Sequence, residues 1–155
     1  MIRVVRLKIG DVFEIVTSNG TGLFQYVHKD ETIGELIRIL PFLLEEGYVL
    51  EDELVKKKEL YLIHFPLGIA LNQKLVTKKG SYRVPQDFKL PNKFRSEHLV
   101  NGEFICWHII DYDTWKREKV ERLSDEQKQL SPWGTWNDTL LKQRLVEGWT
   151  LDRWI

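Results

Sequence analysis

The sequence predicts an α+β fold, in which an antiparallel, strongly curled sheet or small β-barrel-like core is followed by short C-terminal helices. Three observations support this prediction. β-Branched and aromatic residues separated by turn signals fill the first forty positions, Val4 among them. A second hairpin pattern surrounds Asp111-Tyr112-Asp113, and helix-capping signals appear only after residue 120.

Length and composition fit one domain spanning residues 1–155. A chain of this size buries roughly 70% of its unfolded surface, and its 43% apolar and 30% charged residues are typical of globular proteins. Lys plus Arg and Asp plus Glu number 23 each. Because no net field draws the chain to nucleic acid or to an anionic membrane, neither is predicted as a partner.

The N-terminal region is predicted to form a three-stranded meander. An Asn-Gly turn at residues 18–22 should pair residues 12–16 antiparallel with residues 23–28. Residues 33–40 form the third strand, and Pro41 should end it because proline has no N–H for the ladder. Short strands with tight links favour a curled, barrel-like sheet.

The middle of the chain is predicted to add further strands. Residues 59–65 are apolar at nearly every position, which indicates a strand buried on both faces and central to the sheet. Residues 70–77 are predicted as another strand and residues 78–95 mainly as loop. Residues 104–110 and 114–120 should form the second hairpin.

Helix signals are concentrated at the C-terminal end. Ser124-Asp125-Glu126-Gln127 is a capping box that should begin a short helix. Asn137 should cap a last helix that runs to about residue 147, with Trp136 and Leu141 at the two positions of a hydrophobic staple. These residues therefore have a structural explanation.

The single cysteine, Cys106, excludes an intramolecular disulfide and is typical of a reducing compartment. The chain opens on Met1-Ile2-Arg3 rather than on a secretory apolar stretch, and no run approaches the roughly 20 apolar residues of a membrane span. We therefore predict a cytoplasmic protein. Although Cys106 and His108 share one face of a predicted strand, Cys106 is expected to be a small buried hydrophobe.

Two groups of residues are candidates for function. Histidines are spread one to a segment without metal-ligand spacing, so no metal is predicted, but folding that joined three of them with Asp111 or Asp113 would permit metal-dependent hydrolysis. These are His28, His64, His98 and His108. Paired carboxylates lie in polar turns, where a solvated surface is their commonest role.

Five short motifs together resemble the immunity protein 26 family over most of the chain. They are Gly10-Asp11-Val12-Phe13-Glu14-Ile15, Leu36-Ile37-Arg38-Ile39-Leu40-Pro41, Phe65-Pro66-Leu67-Gly68, Trp136-Asn137-Asp138-Thr139-Leu140-Leu141 and Gly148-Trp149.

The resemblance implies a bacterial immunity protein of a polymorphic toxin system, which binds and neutralises a cognate protein toxin without catalytic residues or a cofactor. Some relatives carry a phosphotriesterase label, so a small metal-dependent hydrolase is the alternative; a scaffold or regulatory protein-binding domain is the third interpretation. Toward a basic nuclease, acidic turns would imitate phosphates and steer association. The candidate partner-binding residues are Asp30, Glu31, Glu51, Asp52 and Glu53.

Overall fold

A computed structural model describes residues 6–155; the predicted strand residue Val4 and the opening Met1-Ile2-Arg3 lie outside this range. It confirms the α+β class, with two antiparallel sheets and short helices. The first sheet has the order β4-β3-β2-β1-β5, and the second has the order β6-β7-β8.

The strands are β1 (Asp11–Thr17), β2 (Gly20–Asp30), β3 (Gly34–Leu44), β4 (Tyr61–His64), β5 (Thr77–Ser81), β6 (Lys93–Val100), β7 (Glu103–Asp111) and β8 (Arg117–Val120). The α-helices are α1 (Asp52–Val55), α2 (Leu67–Asn72) and α3 (Asp138–Val146), with 3-10 turns at Gln127–Gln129 and Leu151–Arg153. No helix within residues 6–155 is long and apolar enough to cross a membrane.

The prediction of a strongly curled or barrel-like sheet is wrong, because both sheets are open. In the first sheet, β4 and β5 are opposite edges and do not pair. A segment from the C-terminal part of the chain covers the β4 edge instead. His64 forms an isolated parallel bridge with Thr135, and its carbonyl accepts a hydrogen bond of 2.9 Å from the Trp136 N–H.

The first hairpin is confirmed, with Val12 opposite Gln25 and Val16 opposite Thr21. The third strand extends further than predicted, because β3 continues through Pro41 to Leu44. Pairing passes from Ile39 opposite Phe24 to Leu43 opposite Gly22, so the β3 residues between them form a bulge. Pro41 lies in this bulge with its side chain exposed, where no ladder N–H is required.

Two further strand predictions need correction. All four residues of β4 are buried, as predicted, but β4 is an edge strand rather than a central one. The stretch predicted as a strand at residues 70–77 begins inside α2, whose Leu67 and Ala70 pack into the core. The region from residue 78 to residue 95, predicted mainly as loop, contains the end of β5 and the start of β6.

A buried cluster joins the two sheets. Val27, Leu36 and Leu62 from the first sheet pack with Phe94 from β6 and with Tyr112, which directly follows β7. Phe94 is fully buried and lies 4.8 Å from Tyr112 between ring centroids. The larger core lies elsewhere, where β1 to β4 pack against α2, Trp136 and Leu141.

Both C-terminal capping predictions are confirmed. The Ser124 N–H donates to Gln127 Oε1 at 2.9 Å, and the Gln127 N–H donates to Ser124 Oγ at 3.1 Å. Asn137 Oδ1 accepts a hydrogen bond of 2.8 Å from the Leu140 N–H at the start of α3. Trp136 and Leu141 are buried in the same cluster, as a staple requires.

Replacing Asn137 with Ala should lower the free energy of unfolding by about 1 kcal/mol, because the Leu140 N–H loses its acceptor. Asn137→Asp is the matched control, since a carboxylate still accepts this bond and suits the helix N-terminus. Urea unfolding curves of the three proteins would test this. Equal midpoints for Asn137→Ala and the parent would show that the cap contributes nothing.

Candidate functional site

The hairpin of β6 and β7 projects an exposed apolar surface. Asn101 and Gly102 link the strands with φ angles of 51° and 81°, which is the positive-φ pattern of a tight two-residue turn. Four large apolar side chains near this turn are 47–52% exposed. We call this surface the hairpin tip: Leu99, Val100, Phe104 and Ile105.

A β-bulge sets the direction of the side chains at the hairpin tip. His98 pairs with Cys106 while Leu99 pairs with Phe104, so Ile105 is an extra residue on β7. The extra residue places Phe104 on the same side as Trp107, and their ring centroids lie 5.4 Å apart. The bulge therefore turns an exposed aromatic residue toward the neighbouring cavity.

That cavity has a volume of about 510 Å³ and lies beside the hairpin tip. Its apolar lining comes from Phe104, Trp107, Leu123 and Ile155, and its charged lining from Glu97, Glu121, Arg122 and Lys128. A mainly apolar hollow surrounded by charges of both signs suits an apolar side chain of a partner protein held by a polar rim.

The buried guanidinium of Arg95 organises this side of the second sheet. It is fully buried and donates hydrogen bonds of 2.5–2.9 Å to four backbone carbonyls, those of Lys128, Leu130, Leu151 and Trp154. Its carbon lies 5.2 Å from the Trp107 ring centroid and 4.4 Å from that of Trp154. Burial lowers the pKa of Arg95 to about 10, so it remains charged at neutral pH.

The predicted acidic partner-binding residues occupy two separate elements. Asp30 Oδ1 accepts hydrogen bonds from the backbone N–H groups of Thr32 and Ile33, so it shapes the β2–β3 turn, while Glu31 is exposed.

The second acidic group lies at α1. Glu51 is exposed at the N-cap position, whereas Asp52 and Glu53 both form ion pairs with Lys56, at 2.9 Å and 3.7 Å. Glu31 and Glu51 thus present carboxylates without an ion pair within residues 6–155.

The four histidines form two pairs. His28 and His64 both lie beside Tyr112, with ring centroids 5.9 Å and 5.5 Å from it, whereas His98 stacks on His108 at 4.8 Å. Across residues 6–155, no group of three or more His, Cys, Asp or Glu residues is placed to hold a metal ion. Cys106 is buried, as predicted for a small hydrophobe.

His64 is held in an apolar site. It is fully buried, and its Nε2 lies 2.8 Å from the Tyr112 hydroxyl, while the rings of Phe94 and Trp133 pack around it. Burial lowers the pKa of His64 to about 4. The imidazole is therefore neutral at pH 7 and forms part of the contact between the sheets.

Known proteins offer no guide to this site: the chain matches no family model, no curated protein and no solved structure.

Sequence reasoning missed the hairpin tip, the cavity and Arg95. The Asn101-Gly102 pair between two apolar stretches is a hairpin signal of the kind that located the first hairpin. It would have found the tip. No local pattern indicates that the carbonyls around Arg95 come together, because they lie 33 to 59 residues away along the chain.

His64 should make stability fall with acid. Its folded pKa lies below the unfolded value of 6.5, so the unfolded chain binds more protons between the two values. The free energy of unfolding should drop by about 2 kcal/mol from pH 7 to pH 5 through this group.

Urea unfolding of the parent, His64→Phe and Tyr112→Phe at both pH values tests this. His64→Phe should lose that part of the slope, while Tyr112→Phe should keep it because the imidazole stays buried. An unchanged slope in His64→Phe would contradict the assignment.

Proposed function

We propose that this protein is a non-catalytic, cytoplasmic immunity protein that binds and neutralises a cognate bacterial toxin. The observation that carries the proposal is the hairpin tip, whose four large apolar side chains are about half exposed. An apolar patch beside a cavity and a polar rim is the usual organisation of a protein-binding surface. The resemblance to the immunity protein 26 family supplies the kind of partner.

The geometry of the tip suits a protein ligand in particular. Phe104 is 48% exposed and borders the cavity, so a partner side chain entering the cavity would also cover Phe104. Trp107 is 5% exposed and fixed by Arg95, so this wall is ordered before binding. Preorganised aromatic contacts of this type contribute much of the binding energy in protein complexes.

The hydrolase alternative requires metal-ligating side chains to converge. His64 is hydrogen-bonded to Tyr112, beside which His28 also lies, whereas His98 stacks on His108. The histidines therefore lie as two pairs. The scaffold alternative would use the same hairpin tip for a different partner. A growth test separates these three functions more directly than any structural feature.

The decisive test is co-expression of the tagged protein with the product of its neighbouring gene. A stable one-to-one complex that restores growth would support the immunity function. A complex without rescue would favour a scaffold, and neither complex nor rescue would overturn the proposal and make metal analysis the next step. The complex should bury roughly 800 Å² per partner.

Removing the apolar anchors should weaken binding and neutralisation. The double variant Phe104→Ser/Ile105→Ser should bind the toxin at least tenfold more weakly, since loss of two central contacts costs more than about 1.4 kcal/mol. Surface plasmon resonance and the growth test measure the effect. Val16→Ser/Val49→Ser is the matched control, because both valines are exposed, at 63% and 72%, on other elements. Equal losses in both variants would argue against the hairpin tip.

Charge reversal at the acidic turns tests the steering hypothesis separately. Glu31→Lys/Glu51→Lys should slow association with a basic toxin by about tenfold at low ionic strength, with little effect on dissociation. The difference should shrink as salt is added, because exposed charges are screened. On-rates equal to those of the parent at every salt concentration would remove these turns from the binding surface.

A further inference from the structure

One face of the second sheet groups cations with neutral hydrogen-bond donors. The register of the strands places Ser96, His108 and Lys119 side by side across β6, β7 and β8. Because side chains alternate along a strand, Glu97 and Glu118 belong to the opposite face. The first face therefore carries donors and cations, whereas the opposite face carries charges of both signs, with Glu97 and Glu118 beside Lys93 and Arg95.

His108 is the centre of this arrangement. The ring of His98 stacks on it with centroids 4.8 Å apart and an angle of 21° between the planes. From β8, Arg117 Nη1 lies 3.2 Å from His108 Nδ1. Arg117 and Lys119 are exposed, and the two histidines are partly exposed, so solvent reaches the group. We call it the basic face: Ser96, His98, His108, Arg117 and Lys119.

The hydrogen-bond roles on this face leave donors in excess. A guanidinium group can only donate, so Nδ1 of His108 accepts from Arg117 and Nε2 carries the proton. That Nε2 is buried and has no hydrogen-bond partner within residues 6–155. Neither Arg117 nor Lys119 forms an ion pair with any carboxylate among the described residues.

The protonation of His108 responds to the same neighbours. Burial lowers its pKa, and the adjacent His98, Arg117 and Lys119 lower it further. The other titratable groups that alternation places on this side of β7 are Cys106, opposite His98, and Glu103, near the turn. A dianion bound here would offset the surrounding positive charge and favour protonated His108.

We propose that the basic face binds a phosphate group. Arg117 and Lys119 would supply charge-assisted hydrogen bonds from β8, and Ser96 and His98 would donate from β6. A phosphate group accepts several hydrogen bonds at once and carries the negative charge that these four side chains lack. The inference does not depend on toxin binding, since the charged side chains involved are separate from the hairpin tip.

NMR titration of the full chain with inorganic phosphate tests the proposal. At constant ionic strength maintained with chloride, the imidazole signals of His98 and His108 should shift saturably, and the pKa of His108 should rise. Arg117→Gln/Lys119→Gln should weaken binding at least tenfold, because both charge-assisted hydrogen bonds from β8 are lost. Shifts that do not saturate, like those that chloride alone causes, would overturn the proposal. So would a saturation curve that the double variant leaves unchanged.

The matched control is Lys89→Gln, which removes one positive charge from an exposed loop position and should leave phosphate binding unchanged. Loss of binding equal to that of the double variant would indicate a general charge effect and would contradict a defined site.

A second titration distinguishes the source of the phosphate group. A short phosphoserine peptide that binds more tightly than inorganic phosphate, while its unphosphorylated form does not bind, would assign a phosphorylated protein. Equal affinities would assign small phosphate compounds.

Discussion

The second sheet depends on one buried cation. Arg95 has no carboxylate within salt-bridge distance in the described chain; four backbone carbonyls and two tryptophan rings hold it instead. Its own backbone also pairs with the neighbouring segment, donating to Ser131 and accepting from Trp133. Because a buried unpaired charge is costly, these carbonyls have to remain in place. They fix residues 128–133 and 151–154, here called the C-terminal segment, against β6.

This arrangement connects the fold to the candidate site. Ser131 Oγ accepts a hydrogen bond of 2.9 Å from the Leu62 N–H, so one segment joins β4 of the first sheet to β6 of the second. On the cavity side, Arg95 fixes Trp107, against which Phe104 packs. The exposed hairpin tip therefore projects from a wall that the rest of the chain orders, which is what binding without large rearrangement requires.

Local chemistry in the sequence was sufficient where the determining residues are close together. The Asn-Gly hairpin, the capping box at Ser124 and the Asn137 cap are each set by residues a few positions apart, and all were predicted. Apolar burial of β4 was predicted as well, but its place at a sheet edge depends on a segment about 70 residues later. Whether a sheet closes or stays open, the bulge at Pro41 and the four carbonyls around Arg95 are all decided by such distant contacts. Local sequence patterns do not encode them.

Hydrogen exchange on Arg95→Met tests most directly whether this cation organises the site. We expect amides of β6, β7, β8 and the C-terminal segment to lose protection, because the carbonyls lose their common donor, while β1, β2 and β3 retain most of theirs. Selective loss of this kind would support Arg95 as the residue that organises the second sheet and its hairpin tip. Unchanged protection in the second sheet, or an equal loss in both sheets, would contradict it.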